Sequence, residues 1–209
     1  MPESAYKHNT EIHHRENYRF PQEGQYPIIT ESTNFFAGAL PVNLNHETHY
    51  QNHRTILALD LGTTMGYAVR GYTGTIFSDT VELKSQRIEE DGTVYLHFHR
   101  WLTEIKSLVS TLEEVYFEEV RQHPNITDAY TYGGFVAYLS SWCEQNEIPY
   151  GGIPAGTVNR HITGKDNATG EEIIQAVRAK GHDPKDANEA DALSLLDFIL
   201  TTNYQGNGL

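Results

Sequence analysis

Residues 55–69 read TILALDLGTTMGYAV. An apolar, strand-forming run ends in an acid, Asp60, and passes through a Gly-Thr-Thr turn into a second apolar run. Two chemistries begin this way: the phosphate-binding turn of a kinase, and the central strand of a nuclease that carries a metal ligand. A lone carboxylate at the end of a buried strand is costly unless it is paired or metal-bound, so Asp60 marks a candidate site under either reading. The acids further along the chain must separate the two.

Working outward, TILALDL predicts a first strand over 55–61 and MGYAVRG a second over 65–71. Gly71 to Gly74 predicts a hairpin turn into a third, TIFSDTVEL, over 75–83. The apolar stripe Phe98, Leu102, Ile105, Leu108, Val109 and Leu112 predicts a helix over 94–112. VYFEEV then reads as a strand at 115–120, followed by a helix over 128–146 and a strand from Tyr150 to Ile153 that Pro154 closes. Helical segments at 155–162 and 170–180 precede a last helix that starts near Asp183-Pro184 and runs through EADALSLLDFIL. Three strands in meander, then helix, strand, helix, strand and helices, is the order of a ribonuclease-H-like α/β fold. The expected sheet has five strands, three antiparallel and then two parallel, flanked by helices.

At 209 residues the chain has room for one sizeable domain but not for two large lobes, which weighs against a kinase with its second phosphate loop and adenosine pocket. Hydrophobic content of 38% and charged content of 21% suit a globular domain with polar sequence attached. The expected organisation is a polar extension at 1–52, the domain at 53–203 and a tail at 204–209. Tyr18, Phe20, Tyr26, Phe35 and Phe36 give the extension material to pack with, and His46, His49 and His53 are read as surface residues because no other ligand type accompanies them. No stretch approaches the roughly 20 apolar residues of a membrane span. The start of the chain lacks the apolar core of a secretory signal, and Cys143 stands alone, so the expected setting is cytoplasmic and reducing. A net charge of −13 opposes nucleic-acid binding, which normally shows a basic footprint. Bound cations can offset it, since divalent-metal nucleases concentrate acids where the chemistry occurs.

Three places set acids where an α/β sheet places chemistry: Asp60, the pair Glu118 and Glu119 at the end of a second apolar strand, and Asp191 early in the last helix. Small residues flank Asp191 and let its helix approach the sheet. Converging carboxylates of this kind select hard cations, and a pair of such ions supports phosphodiester hydrolysis. Strand parity alone does not choose between Glu118 and Glu119. Asp186 and Glu189 have the D-x-x-E spacing of a capping box, while Asp183 before Pro184 offers another cap for the same helix.

LALDLGTTMGYAV, VYFEEV, ITGKDNATGEEII and NEADALSLL occur in that order across about residues 54–200, and together they resemble the RuvC-type Holliday junction resolvases of the phage-like variety. The resemblance implies that Asp60, Glu118 and Asp191 hold Mg²⁺ or Mn²⁺, as two ions per site, and it selects Glu118 over Glu119. It further implies a structure-selective endonuclease that resolves four-way DNA junctions as a homodimer, leaving 5′-phosphate ends. Family members carry an Asp or His three residues before the last Asp, where this chain has Asn188. Asn188 as a neutral metal ligand and Glu189 as a longer catalytic carboxylate are both open as the fourth group, with Asp186 a third candidate. Arg121, Arg160 and Lys165 are candidate DNA contacts, and His161 and Lys185 lie in further segments near the proposed site; the Lys that the family tends to carry in the TGKDNATGEE segment is Gly170 here. His123 reads as a loop residue. Tyr130, Tyr132, Phe135, Tyr138 and Trp142 partly follow helical spacing and read as packing and subunit-interface material. Asn188 and the acidic balance also motivate a junction-binding protein that does not cut, and an RNA-processing nuclease of the related YqgF type is a further alternative.

Overall fold

The computed structural model describes residues 54–83, 92–109 and 111–202, all within the unit Thr48–Leu209. The expectations for the extension at 1–52, with its aromatics and histidines, and for the tail at 204–209 lie outside the described residues. Five strands form one sheet in the order β3-β2-β1-β4-β5: β1 (Ile56–Asp60), β2 (Thr64–Arg70), β3 (Ile76–Glu82), β4 (Glu114–Glu119) and β5 (Tyr150–Pro154). The first three are antiparallel neighbours, and β4 and β5 run parallel to β1. This is the ribonuclease-H-like order expected from the sequence. Five helices complete the domain among the described residues: α1 (Thr93–Leu108), α2 (Ile126–Gln145), α3 (Ala155–Thr163), α4 (Gly170–Ala179) and α5 (Ala187–Thr202). None of them is long and apolar enough to cross a membrane.

Strand register decides which residues meet which helices. Asp60 pairs with Gly66 and Gly66 with Thr80; Ala58 pairs with Ala68 and Tyr116, and Ala68 with Ser78. These residues therefore share one face, on which α5 lies with α3 and α4 beside it. Ile56, Ala58, Ala68, Tyr116 and Ile153 join Val158, Ile173, Val177, Leu196 and Ile199 in that core. The opposite face holds Leu57, Leu59, Tyr67 and Phe117, and Trp101 of α1 meets Tyr67 there edge-on with ring centroids 5.0 Å apart. Phe98 and Phe135 join α1 to α2 in the same way, at 5.2 Å.

Two helix boundaries differ from the sequence expectation, each for a main-chain reason. The first helix ends at Leu108 rather than 112, because the N–H groups of Glu113 and Glu114 already bond the Thr55 carbonyl at the entry to β4. Leu112 is buried all the same, ahead of the strand. The last helix starts at Ala187 and not near Asp183-Pro184: the Asp186 carboxylate accepts the Glu189 N–H at 2.9 Å and is its cap. Asp183 instead pairs with Arg178.

The approach of α5 to the sheet depends on one missing side chain. A Cβ on Gly66 would fall 1.8 Å from the Asn188 carbonyl oxygen and 2.9 Å from the Glu189 nitrogen. Both obstacles are main chain in the first turn of a helix and cannot rotate away. Gly66→Ala must therefore lift the start of α5, at a loss of about 3 kcal/mol, the upper end of ordinary overpacking. In a domain of this size that lowers the thermal midpoint by roughly 6–12 °C. A midpoint within about 2 °C of wild type, less than 1 kcal/mol of destabilisation, would show the contact to be soft.

Candidate functional site

Asp60 is the last residue of β1, and β4 runs parallel to it with Leu59 beside Phe117. The next step of that register sets Glu118 beside Asp60 on the α5 face. Glu119 then points the other way, where it meets Arg121 at 3.2 Å. Parity thus separates the two glutamates once the partner strand is known. Over these strand ends, α5 brings Asp191 from its second turn.

The three carboxyl groups lie in one another's field. Burial, and after it the charge of Asp186, raises the Asp60 carboxyl to about 6. Burial, followed by Asp191 and Asp60, raises Glu118 to about 8. Burial, followed by Asp60 and Asp186, raises Asp191 to about 7. Each shift has the same origin: charge removed from water and set among like charges. In donor type the cluster suits a hard divalent cation, which takes carboxylate oxygens and cancels this repulsion. Among the described residues, however, no three Asp, Glu, His or Cys side chains stand close enough to clasp one ion as they lie. The acids share a field without sharing a ready ligand sphere.

The three candidates for a fourth group behave differently. Asp186 Oδ1 accepts the Thr80 hydroxyl at 2.6 Å and the Glu189 N–H at 2.9 Å, and its charge bears on both Asp60 and Asp191. Glu189 is buried at 6% exposure and committed at both oxygens, to the Ser78 hydroxyl at 2.6 Å and to the Lys185 N–H at 2.9 Å. It is not among the charges that raise Asp60, Glu118 or Asp191. Asn188 sets its main chain against Gly66. Lys185 pairs with Asp79 and also donates to the Thr80 carbonyl at 3.2 Å. Three successive residues of β3, Ser78 to Thr80, thus hold the chain at the start of α5.

The end of β4 is held from the opposite face. The Tyr132 hydroxyl of α2 donates to the Glu118 carbonyl at 2.9 Å and accepts the Val120 N–H at 3.2 Å. The His123 ring lies on Tyr132, with centroids 4.9 Å apart. Sequence reasoning assigned Tyr132 to packing, because no side-chain pattern reveals a hydroxyl whose partners are both main chain.

Each basic candidate already has an acidic neighbour. Arg121 pairs with Glu119 at 3.2 Å, Arg160 with Asp166, and Lys165 with Glu172 at 2.5 Å. In the TGKDNATGEE segment, Thr169 and Glu172 form a reciprocal capping box that starts α4. Gly170 lies against α5, where a Cβ would stand 3.2 Å from that of Ala187. This brings the segment beside the start of α5. His161 of α3 lies farther along α5, bonded there to Asp197 at 2.8 Å.

No protein-family model and no curated protein sequence matches the chain. Solved structures do match its fold. RuvC of Thermus thermophilus, in complex with a Holliday junction substrate, aligns with a TM-score of 0.55 at 20% identity over 68% of this chain and 90% of that one. A second Thermus thermophilus RuvC structure aligns with 0.55 at 19% identity, over 71% and 96%. Ydc2, the yeast mitochondrial Holliday junction resolvase, aligns with 0.52 at 8% identity, over 71% and 78%. At these identities the likeness establishes the fold, which is ribonuclease-H-like.

The raised carboxyl groups make stability depend on pH in a definite direction. In the unfolded chain such acids titrate near pH 4, whereas in the folded protein Asp60, Asp191 and Glu118 hold their protons to about 6, 7 and 8. Between those limits the native state binds more protons, so its stability falls as pH rises. In the presence of a chelator the thermal midpoint should drop between about pH 5 and pH 8.5, and Glu118→Gln should flatten the slope and raise the midpoint at the alkaline end. A wild-type midpoint that climbs across this window would contradict the shared burial of the three acids.

Proposed function

We propose that the chain is a divalent-metal-dependent endonuclease that cuts four-way DNA junctions. The observation that carries this reading is the convergence of Asp60, Glu118 and Asp191, from β1, β4 and α5, on one face of a fold shared with RuvC bound to its junction substrate. The two strands come from the sheet's centre and the helix is seated on it, so the acids arrive on rigid elements. Bound Mg²⁺ or Mn²⁺ ions, two per site, would lower the pKa of an attacking water and stabilise the departing 3′ oxygen. Asp60, Glu118 and Asp191 would hold them. Asp186 is the fourth carboxylate we assign to the set, since Thr80 and the Glu189 N–H fix one of its oxygens and its charge already reaches two of the three acids. Glu189, with both oxygens bonded to the protein, serves to seat the helix.

Arg121, Arg160 and Lys165 would bind phosphates by exchanging their carboxylate partners for the DNA backbone. Symmetric cutting of a junction needs two sites related by a two-fold axis. On α2, Ile126 and Tyr130 stand one turn apart and are 67% and 72% exposed, an apolar surface suited to a second copy of the chain. A cytoplasmic setting accompanies this reading. A junction-binding protein that does not cut is the second reading, favoured by Asn188 and by the lack of a ready three-ligand clasp among the described residues.

One series of measurements separates the two. The purified protein should cleave a synthetic four-way junction in Mg²⁺ or Mn²⁺ to 5′-phosphate ends, and Asp60→Asn should bind the junction without cutting it. Cutting by Asp60→Asn would overturn the assignment of that acid, and tight binding without cutting by wild type in both metals would favour the second reading. Asp186→Asn should raise the Mn²⁺ concentration for half-maximal cutting about tenfold or more, as loss of a ligand or its support does, whereas Asn188→Ala should not. Tyr130→Glu should shift the protein from dimer to monomer in sedimentation; an unchanged sedimentation profile would take the pairing surface away from α2.

A further inference from the structure

The Tyr132 hydroxyl occupies an unusual place for a residue of a packing helix. It spans the last turn of main chain at the exit of β4, as donor to the Glu118 carbonyl and acceptor from the Val120 N–H. The Val115 N–H bonds the Pro149 carbonyl on the β5 side, and the Glu114 N–H bonds the Thr55 carbonyl on the β1 side. By the alternation of a strand the Glu118 carbonyl therefore faces β1, where the last register pair is Leu59 with Phe117. Past that pair Tyr132 bonds both the Glu118 carbonyl and the Val120 N–H through its hydroxyl. Its ring is itself fixed, because His123 of the loop after β4 lies against it. The phenol is half-buried, and its hydroxyl is bonded to main chain both as donor and as acceptor.

We infer that Tyr132 is a positioning residue for Glu118: its hydroxyl sets the main chain at the end of β4 and so aims the Glu118 carboxylate at the ion-binding position. The inference rests on the metal-dependent reading above and adds to it a group on α2, a helix that contributes no acid to the site. A side chain aimed through two main-chain bonds loses direction when they are removed, although the fold around it remains. The ring of phenylalanine preserves the contact with His123 and the packing of α2, so Tyr132→Phe isolates the oxygen.

The test uses the full chain and Mn²⁺ as the probe. Mn²⁺ binding is followed by electron paramagnetic resonance without DNA, and junction cutting is followed separately. Tyr132→Phe should raise the Mn²⁺ dissociation constant about tenfold, the lower end of what outer supports of metal ligands contribute. At fixed Mn²⁺ it should lower kcat for the junction while leaving KM unchanged, and excess Mn²⁺ should restore most of the rate. Exchange of the Val120 amide should accelerate, which reports the lost bond directly. Tyr150→Phe, which removes a hydroxyl bonded to Glu144 at 3.2 Å on β5, should match wild type in all of these. Wild-type Mn²⁺ affinity in Tyr132→Phe, with the Val120 amide exchanging faster, would overturn the inference. If Tyr132→Phe proves unstable, 3-fluorotyrosine at 132, which keeps the ring and weakens the hydroxyl as an acceptor, should give a smaller shift of the same sign, and no shift would again overturn it. Failure of the nuclease reading is distinguishable, because the ion-binding comparison stands whether or not wild type cuts a junction.

Discussion

Among the glycines of the described residues, Gly66 leaves the least room for a side chain, because it lies against the main chain of Asn188 and Glu189. Gly66 is the register partner of Asp60 on one side and of Thr80 on the other. The first turn of α5 therefore rests on the row of the sheet that carries the first-strand acid. Any larger residue at 66 would raise the helix and with it Asp191 and Asp186. The neighbouring row repeats the device more mildly, with Ala58 beside Ala68 and both fully buried. Small residues below the helix and Ala190 and Ala192 within it bring two main chains together. Beyond that row the same face becomes polar, and β3 fastens the helix with Ser78 and Thr80 through the carboxylates of Glu189 and Asp186.

The polar fastening explains why one local motif contains acids of unlike character. Asp186 caps a helix start, where partly positive N–H groups favour a charged carboxylate. Glu189, three residues on, has both oxygens satisfied by a hydroxyl and a main-chain N–H. Asp191, two residues further, is raised to about 7 by burial and by the charges of Asp60 and Asp186. The hydrogen bonds of Asp186 and Glu189 fasten the helix, whereas Asp60, Glu118 and Asp191 carry the electrostatic strain. That strain marks Asp60, Glu118 and Asp191 as groups arranged for something other than stability.

Much of this was legible in the sequence. The apolar runs in TILALDL and MGYAVRG, the Gly71–Gly74 turn, VYFEEV and the Tyr150–Ile153 run before Pro154 were enough for all five strands in chain order, because those signals are local. The identities of Asp60 and Asp191 as candidates followed from acids set in apolar or small-residue surroundings. What the sequence could not carry was register: Glu118 and Glu119 are equivalent until β4 is aligned with β1. Helix starts failed for a related reason. Asp183-Pro184 and Asp186 are both good local caps, and the choice fell to Asp186 because Thr80, 106 positions away in the chain, reaches it. The bonds of Tyr132 to main chain were invisible for the same cause, since any residue type at 118 and 120 could have offered them.

The acidic balance of the chain and the proposed DNA substrate are compatible once exposed and buried charges are treated separately. Arg121 and Arg160 are 72% and 64% exposed, and their acidic partners are exposed as well. Exposed pairs of this kind are worth only about 0–1 kcal/mol, so a phosphate can displace a carboxylate from either arginine with little loss. The net charge of −13 therefore does not prevent local contacts with DNA. The buried acids present the opposite problem, since among the described residues no lysine or arginine lowers the proton affinity of Asp60, Glu118 or Asp191. A proton or a small cation entering the cluster would relieve them. A scissile phosphate adds further negative charge at the same place, where protons neutralise the acids one at a time and a divalent ion can face both acids and phosphate at once. Under the proposed function, the sheet face would thus favour a metal ion most strongly with a phosphodiester also present, and ion binding would be coupled to substrate binding.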